Sequence, residues 1–245
     1  MRKFLVALAV LTLALGAQAQ TDSTGKKTKK DWSKINLAGR ANDHFMIQFG
    51  YDGWAQRPDS IETKGIGRHL NIYFMLDFPF KTNPHFSVGL GVGVGSSNIY
   101  FDKMEVEIAG QTQELQFRNV ADTNHFKKFK LSTTWAELPV ELRYVGNPEN
   151  TNKSWKAAVG IKVGTMINAH TKGKNYEDKN GNSLNNFIQK ESTKRYFNNL
   201  RMAATARVGY GPFGIYGAYQ INSLIKDNAG PQVRPYSIGL TISGL

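Results

Sequence analysis

Histidine is the residue type best suited to bind a metal or to move a proton near neutral pH. The chain has His44, His69, His85, His125 and His170. No two of them stand four residues apart, and there is no cysteine to complete a zinc or iron site. The sequence therefore predicts neither a metal site nor a cofactor.

A hydrolase or acyltransferase would need a histidine beside a carboxylate. His69 and Asp77 share one face of a predicted strand, but eight extended residues separate them by about 26 Å. His44 is a nearer neighbour for Asp77, although a paired histidine inside a protein is more often structural. We expect no catalytic residues and no enzyme.

A second set of ionisable residues alternates with apolar residues, as side chains on one face of a strand do. The set comprises Glu137, Glu141, Arg143, Lys156, Lys162, Arg201 and Arg207. Since buried charges need partners, one interpretation is an internal network that plugs a lumen and fixes strand register. The other interpretation is the lining of a pore.

Basic and aromatic residues are interleaved in the stretches that we predict to be long loops. They are Lys127, Lys128, Lys130, Lys172, Lys174, Lys179, Lys190, Lys194 and Arg195, with Phe126, Phe129, Tyr176, Phe187, Tyr196 and Phe197. The lysines could bind lipopolysaccharide phosphates or an acidic partner. Equally, solvated loops are often charged, and aromatic residues at their bases form an interfacial girdle.

The glycines at alternate positions of 89–95 contain a Gly-x-Gly pattern. A dinucleotide site would need a helix to open directly after them, whereas the valines here keep strict strand alternation. Glycines on the inner face of a narrow barrel instead leave room for large neighbouring side chains.

The elements that must position these residues are strands, because apolar residues recur at every second position. This pattern fills eight segments, at 45–51, 70–78, 86–94, 136–144, 155–167, 202–210, 213–221 and 236–242. The opposite faces carry Gly, Ser, Asn and Thr with few charges. The sequence predicts an all-β fold of eight strands.

Segment length and connection length both favour a membrane barrel. The segments match the 9–11 residues that a tilted strand needs to cross a bilayer, and only a closed barrel satisfies its backbone groups there. Long and short connections alternate, as they do in outer-membrane barrels, where short turns and both termini lie in the periplasm. We predict a closed antiparallel transmembrane β-barrel with long extracellular loops.

Residues 100–120 add an alternating pair of short segments around a turn at 109–112. They are crowded by Glu105, Glu107 and Glu114, so we expect an extracellular hairpin that prolongs the third and fourth strands. Ten transmembrane strands are the alternative.

The N-terminus has the features of a secretory signal peptide. Arg2 and Lys3 precede an apolar run, and Ala17 and Ala19 predict cleavage before Gln20. We therefore divide the chain into a signal peptide at 1–19, a flexible basic periplasmic leader at 20–42 and a barrel domain at 43–245. Removal of Arg2 and Lys3 lowers the net charge from +12 to +10, and an exported protein of this charge meets anionic lipid before nucleic acid.

The stretch 136–144, Ala-Glu-Leu-Pro-Val-Glu-Leu-Arg-Tyr, and the strand at 157–164 resemble the PorT-like outer-membrane β-barrel family of Bacteroidota. Tyr219 and the closing stretch 237–240 are also similar to that family. The resemblance implies an outer-membrane barrel. The member that gives the PorT-like family its name takes part in a dedicated protein-secretion system. The final Leu245 departs from the aromatic residue that ends many outer-membrane proteins.

Together these observations predict a non-enzymatic outer-membrane barrel with a plugged lumen, acting as a structural, adhesive or export-accessory component. A small pore or a lipid-A or other lipid-modifying barrel enzyme is the alternative. The expected partners are outer-membrane lipid and lipopolysaccharide, the barrel-assembly machinery and an envelope or secretion-system protein, with no nucleic acid.

Overall fold

The computed structural model describes residues 45–244. The signal peptide, its cleavage residues Ala17, Ala19 and Gln20, the leader and His44 lie outside the described residues, so those expectations stay predictions. The strands are β1 (Phe45–Ala55), β2 (Gly67–Pro79), β3 (Phe86–Phe101), β4 (Met104–Glu107), β5 (Gln116–Asn119), β6 (His125–Val145), β7 (Trp155–Glu177), β8 (Ser183–Ser192), β9 (Leu200–Tyr210), β10 (Phe213–Gln220) and β11 (Arg234–Ser243).

Eight of these strands close into an antiparallel barrel. The order is β6-β3-β2-β1-β11-β10-β9-β7, and β7 pairs with β6 to complete the ring. The predicted eight-stranded barrel is confirmed. The ten-strand alternative is wrong, because β4 and β5 pair only with each other in a separate sheet.

Alternation along each strand separates a polar inner face from an apolar outer face. On β2, for example, Leu70, Ile72 and Phe74 are exposed on the outside, while Asn71 and Tyr73 are buried inside. The same register continues across neighbouring strands, so the exposed apolar side chains form one outer band. Such a band is what the hydrocarbon core of a bilayer requires of a barrel.

Connections define two ends of the barrel. The short-turn end carries the links β2–β3, β6–β7 and β9–β10, of which the last is the tight turn at 211–212. A single 3-10 turn, Thr151–Lys153, lies in the β6–β7 link. The links β1–β2, β3–β6, β7–β9 and β10–β11 meet at the other end, which we call the long-loop end.

Strands β6 and β7 extend well past the outer apolar band, with 21 and 23 residues. Beyond the band they form a projecting sheet with the last residues of β3 and with β8. The expectation that the basic residues lie in loops is therefore wrong for Lys127, Lys128, Lys130, Lys172, Lys174 and Lys190, which all lie on strands. Outside the membrane the outer face no longer needs to be apolar. The alternation of apolar and polar residues in the sequence therefore ends before strands β6 and β7 end.

A hydrophobic cluster, the cap core, covers the long-loop end. The β4–β5 hairpin folds over the opening instead of prolonging β3 and β6, and it buries Met104, Val106 and Ile108. Other loops complete the cluster with Tyr196, Phe197, Leu224, Ile225 and Val233. The backbone N–H of Leu115 donates to the carbonyl of Ala229 at 2.8 Å, which ties the hairpin to the β10–β11 loop.

The cap core also corrects the expectation of an aromatic girdle at the loop bases. Phe126, Phe129, Tyr196 and Phe197 are buried in the cap core, and Tyr176 packs against it. Phe187 contacts Phe126 at 5.5 Å between ring centroids. These contacts pack the projecting sheet and the loops against one another.

No helix among residues 45–244 is long and apolar enough to span a membrane. Over the same residues, no group of histidine and acidic side chains is arranged to hold a metal ion.

Candidate functional site: the charged lumen

The inner face of the barrel carries the ionisable residues in three layers. Each layer is centred on buried carboxylates that accept hydrogen bonds from several strands. Burial of an unpaired carboxylate would be very unfavourable, so the partners decide what each layer can do.

The middle layer is centred on Glu137 of β6, which is 2% exposed. Its Oε1 atom lies 2.8 Å from Nη1 of Arg201, and its Oε2 atom lies 3.3 Å from Nζ of Lys162. The hydroxyl of Tyr73 donates to the same Oε2. The guanidinium of Arg201 also lies 5.6 Å from the ring of Trp135. This layer joins β2, β6, β7 and β9.

The layer nearer the short-turn end is centred on Glu141. Its Oε2 atom accepts from Nε of Arg143 at 2.9 Å and from Nη2 of Arg207 at 3.0 Å. Arg143 reaches on to Asp77, whose Oδ1 lies 3.4 Å from Nη1. The hydroxyl of Ser87 donates to Asp77 at 2.6 Å. Two acids and two guanidiniums thus form one chain of contacts.

The layer nearer the long-loop end is centred on Asp52 of β1. Nδ1 of His69 lies 2.7 Å from its Oδ1 atom, and the hydroxyl of Ser237 donates to the same atom at 2.5 Å. The hydroxyl of Ser97 donates to Oδ2. Nε2 of His69 contacts the hydroxyl of Tyr216, which is also within 3.4 Å of Asn71.

The structure therefore brings six of the seven sequence-predicted charges into two clusters around Glu137 and Glu141. The seventh, Lys156, is half-buried near the short-turn end, in register with Val145 and Gly209. Sequence reasoning missed Asp52, Tyr73, Asp77 and Tyr216 as parts of the network. Their signal was available, because each stands at an inner-face position of its strand.

Glycines make room for these side chains. A Cβ atom at Gly89 would overlap the guanidinium of Arg143, and one at Gly95 would lie 2.7 Å from Oδ1 of Asn71. Strand β3 therefore contributes bare backbone where its neighbours contribute their largest polar groups. This explains the Gly-x-Gly pattern without a nucleotide.

A small cavity lies where the lumen meets the cap core. The cavity there is about 10 Å³ and is lined by Trp54, Ile99, Leu131, Trp135 and Arg201, among others. That volume holds about one water molecule.

No residue in the network has the arrangement of a nucleophile next to a free base. His69 is held between Asp52 and Tyr216, and both serines of that layer donate to the aspartate and not to the imidazole. The contacts describe a set of mutually neutralised groups that cross-link strands.

The family described as outer membrane protein beta-barrel domain matches residues 18–226. No curated protein matches the chain. Among solved structures, the chain is similar to Ail, the attachment invasion locus protein of Yersinia pestis, crystallised with the heparin analogue sucrose octasulfate. The identity is 12%, the TM-score is 0.36, and the match covers 81% of this chain and 94% of that chain.

Proposed function

The chain belongs to the outer membrane protein beta-barrel domain family, and we propose that it is a non-enzymatic barrel whose lumen is sealed by its own side chains. In this proposal the barrel is a rigid outer-membrane support for the structures at its long-loop end. Its role is structural, adhesive or accessory to export.

The observation that carries the proposal is the pairing of the buried lumen charges. The carboxylates of Glu137 and Glu141 are each contacted by two cationic groups, and three of the four cations come from other strands. An eight-stranded barrel is only wide enough to be filled by its side chains. The cap core supports the same conclusion, because its buried side chains cover the long-loop opening.

We further propose that the long-loop end faces the cell exterior and that both termini lie in the periplasm. Short periplasmic turns and long external loops are general in bacterial outer-membrane barrels. The resemblance of 136–144 and 157–164 to PorT-like barrels of Bacteroidota favours a role beside an envelope or secretion-system protein. The barrel-assembly machinery is the expected partner during insertion.

A lipid-modifying enzyme is a second candidate because Asp52 and His69 form a buried acid–histidine pair. Two contacts weigh against it. The second imidazole nitrogen of His69 is occupied by the Tyr216 hydroxyl, and both side chains lie inside the lumen and away from surrounding lipid.

The test is affinity purification of cross-linked complexes from native outer membranes. Replacing the β4–β5 hairpin, residues 104–119, with a short glycine-serine turn should abolish capture of a partner while the barrel still folds. Asp52→Asn should leave capture unchanged. Loss of a lipid-modifying activity in Asp52→Asn, with capture unaffected by the hairpin deletion, would favour the enzyme instead.

A further inference from the structure

The outward face of the projecting sheet, opposite the cap core, carries five lysines from three adjacent strands. They are Lys128 and Lys130 of β6, Lys172 and Lys174 of β7, and Lys190 of β8. We call this set the lysine ladder. Lys130 is directly opposite Lys172, and Lys172 is directly opposite Lys190. Lys128 is opposite Lys174 in the next row.

Such an arrangement is unfavourable for folding, because like charges directly opposite each other on a sheet repel. Among residues 45–244, no carboxylate lies within salt-bridge distance of any ladder lysine. The nearby acids are engaged elsewhere: Glu177 pairs with Lys127 at 2.8 Å, and Asp102 pairs with Lys64 at 2.7 Å. Glu191 of β8 lines the cavity on the opposite, cap-facing side of the sheet.

The pKa shifts of Lys130 and His170 are consistent with this excess of positive charge. Burial and the neighbouring Lys172 lower the pKa of Lys130. The pKa of His170 is lowered by burial and then by Lys190, Lys130 and Lys172. Among residues 45–244, the only side-chain oxygen that accepts a hydrogen bond from a ladder ammonium is Oδ1 of Asn98, at 2.6 Å from Nζ of Lys130. The ladder thus lacks a negative partner within the described chain.

The position of the lysine ladder relative to the apolar band indicates where a negatively charged partner is found. Ile167 is the last exposed apolar residue of β7 before the projecting sheet. Lys172 is five residues further, which places it about 12 Å higher along the membrane normal for a strand rise of ~3.3 Å and a tilt of ~40°. A lysine side chain spans about half that distance, so its ammonium can reach back to the membrane surface.

We propose that the lysine ladder binds the phosphate groups of lipopolysaccharide in the outer leaflet. The ladder faces sideways over the surrounding lipid, so the anions it meets are those of neighbouring headgroups. Binding there neutralises the repulsion across β6, β7 and β8 and holds the projecting sheet upright. This inference rests on the proposed orientation of the barrel and is independent of whether the lumen is sealed.

The experiment uses the full mature chain, refolded in zwitterionic micelles at about 0.15 M salt. The probes are rough lipopolysaccharide with its phosphates intact, the same material after dephosphorylation, and dextran sulfate as a soluble polyanion. The test variant is Lys172→Gln with Lys190→Gln. The matched control is Lys81→Gln with Lys103→Gln, which removes the same charge from exposed positions outside the ladder.

At about 1 kcal/mol for each lysine near an anionic surface, the test variant should bind phosphorylated lipopolysaccharide about 30-fold more weakly than the wild type. The control should change affinity less than 3-fold. Without lipopolysaccharide, the test variant should unfold at the same or a higher urea concentration, since repulsion is relieved. That last readout separates a binding role from a structural one.

Three results would overturn the proposal. The first is equal binding of intact and dephosphorylated lipopolysaccharide, and the second is equal losses in test and control variants. The third is ladder-dependent binding of dextran sulfate with no ladder-dependent binding of lipopolysaccharide, which would assign the ladder to a soluble anionic polymer. Labelling of Lys190 on intact cells checks the orientation separately, so a failed orientation is distinguishable from a failed site.

Discussion

Oδ1 of Asp52 lies 2.7 Å from Nδ1 of His69, and both side chains are buried in the lumen. The same carboxylate accepts hydrogen bonds from the hydroxyls of Ser97 and Ser237. One aspartate therefore ties together β1, β2, β3 and β11 near the long-loop end.

Replacing Asp52 with alanine should destabilise the barrel by about 3 kcal/mol, because the hydroxyls of Ser97 and Ser237 lose their acceptor and the buried His69 loses the carboxylate beside it. Urea unfolding in micelles, followed by tryptophan fluorescence, measures the change. Asp102→Ala is the control, since it removes an exposed ion pair with Lys64 that should contribute about 1 kcal/mol or less. Equal losses in the two variants would mean that the Asp52 contacts do not stabilise the fold.

The Asp52–His69 pair also shows which part of the site could be predicted from the sequence. Alternation alone placed Asp52 and His69 on polar faces of consecutive strands. Their contact depends on the register of the β1–β2 hairpin, in which Gly50 is opposite His69. Register follows from the exact strand ends, which alternation does not define, and a shift of one residue would reverse every face. The sequence therefore predicted the barrel and a set of charged residues on its inner face, but neither the division of that set into two clusters nor the Asp52 layer.

The cap core could not be predicted from the sequence for a different reason. Tyr196, Phe197 and Ile225 lie in loops with no repeating pattern, and their burial arises from contacts between loops that are distant in the chain. The Tyr196 hydroxyl, for example, donates to the carbonyl of Gly110 at 2.7 Å. Composition could suggest only that these loops are aromatic. Only the three-dimensional structure shows which of these aromatic residues face solvent, which face lipid and which pack against one another.

The outer face of β3 offers a second test. Val92 is 55% exposed within the apolar band, so Val92→Arg should cost about 2–4 kcal/mol of folding stability in a bilayer. Gln113→Arg, at an exposed position of the β4–β5 link, should have little effect. Chemical unfolding in phospholipid vesicles compares the two variants. Equal tolerance at both positions would show that the inner and outer faces of β3 are exchanged.

The projecting sheet should respond to pH through His170. Because burial and neighbouring lysines lower its pKa, the folded state favours neutral imidazole more than the unfolded state does. Stability should therefore fall as pH drops through and below about 6.5, the unfolded value. Lys190→Gln should raise the pKa of His170, which an NMR titration of the imidazole measures directly. A pKa that is the same in wild type and Lys190→Gln would contradict the proximity of the two groups.

Substitution of Glu141 tests whether the lumen network stabilises the barrel. Glu141→Ala leaves the guanidiniums of Arg143 and Arg207 without the carboxylate that both contact, so the barrel should lose about 3–5 kcal/mol. Glu141→Gln keeps the shape and one acceptor oxygen and should lose less. Urea unfolding in micelles ranks the three proteins.

Ion conductance of the reconstituted mature protein in planar bilayers tests the sealed lumen most directly. The paired charges around Glu137 and Glu141 and the cap core predict no steady conductance from the wild-type protein. Stable, ion-selective channels in the wild type would contradict the sealed lumen. A normally folded Glu141→Ala variant with altered selectivity would then assign the same residues to the lining of a pore.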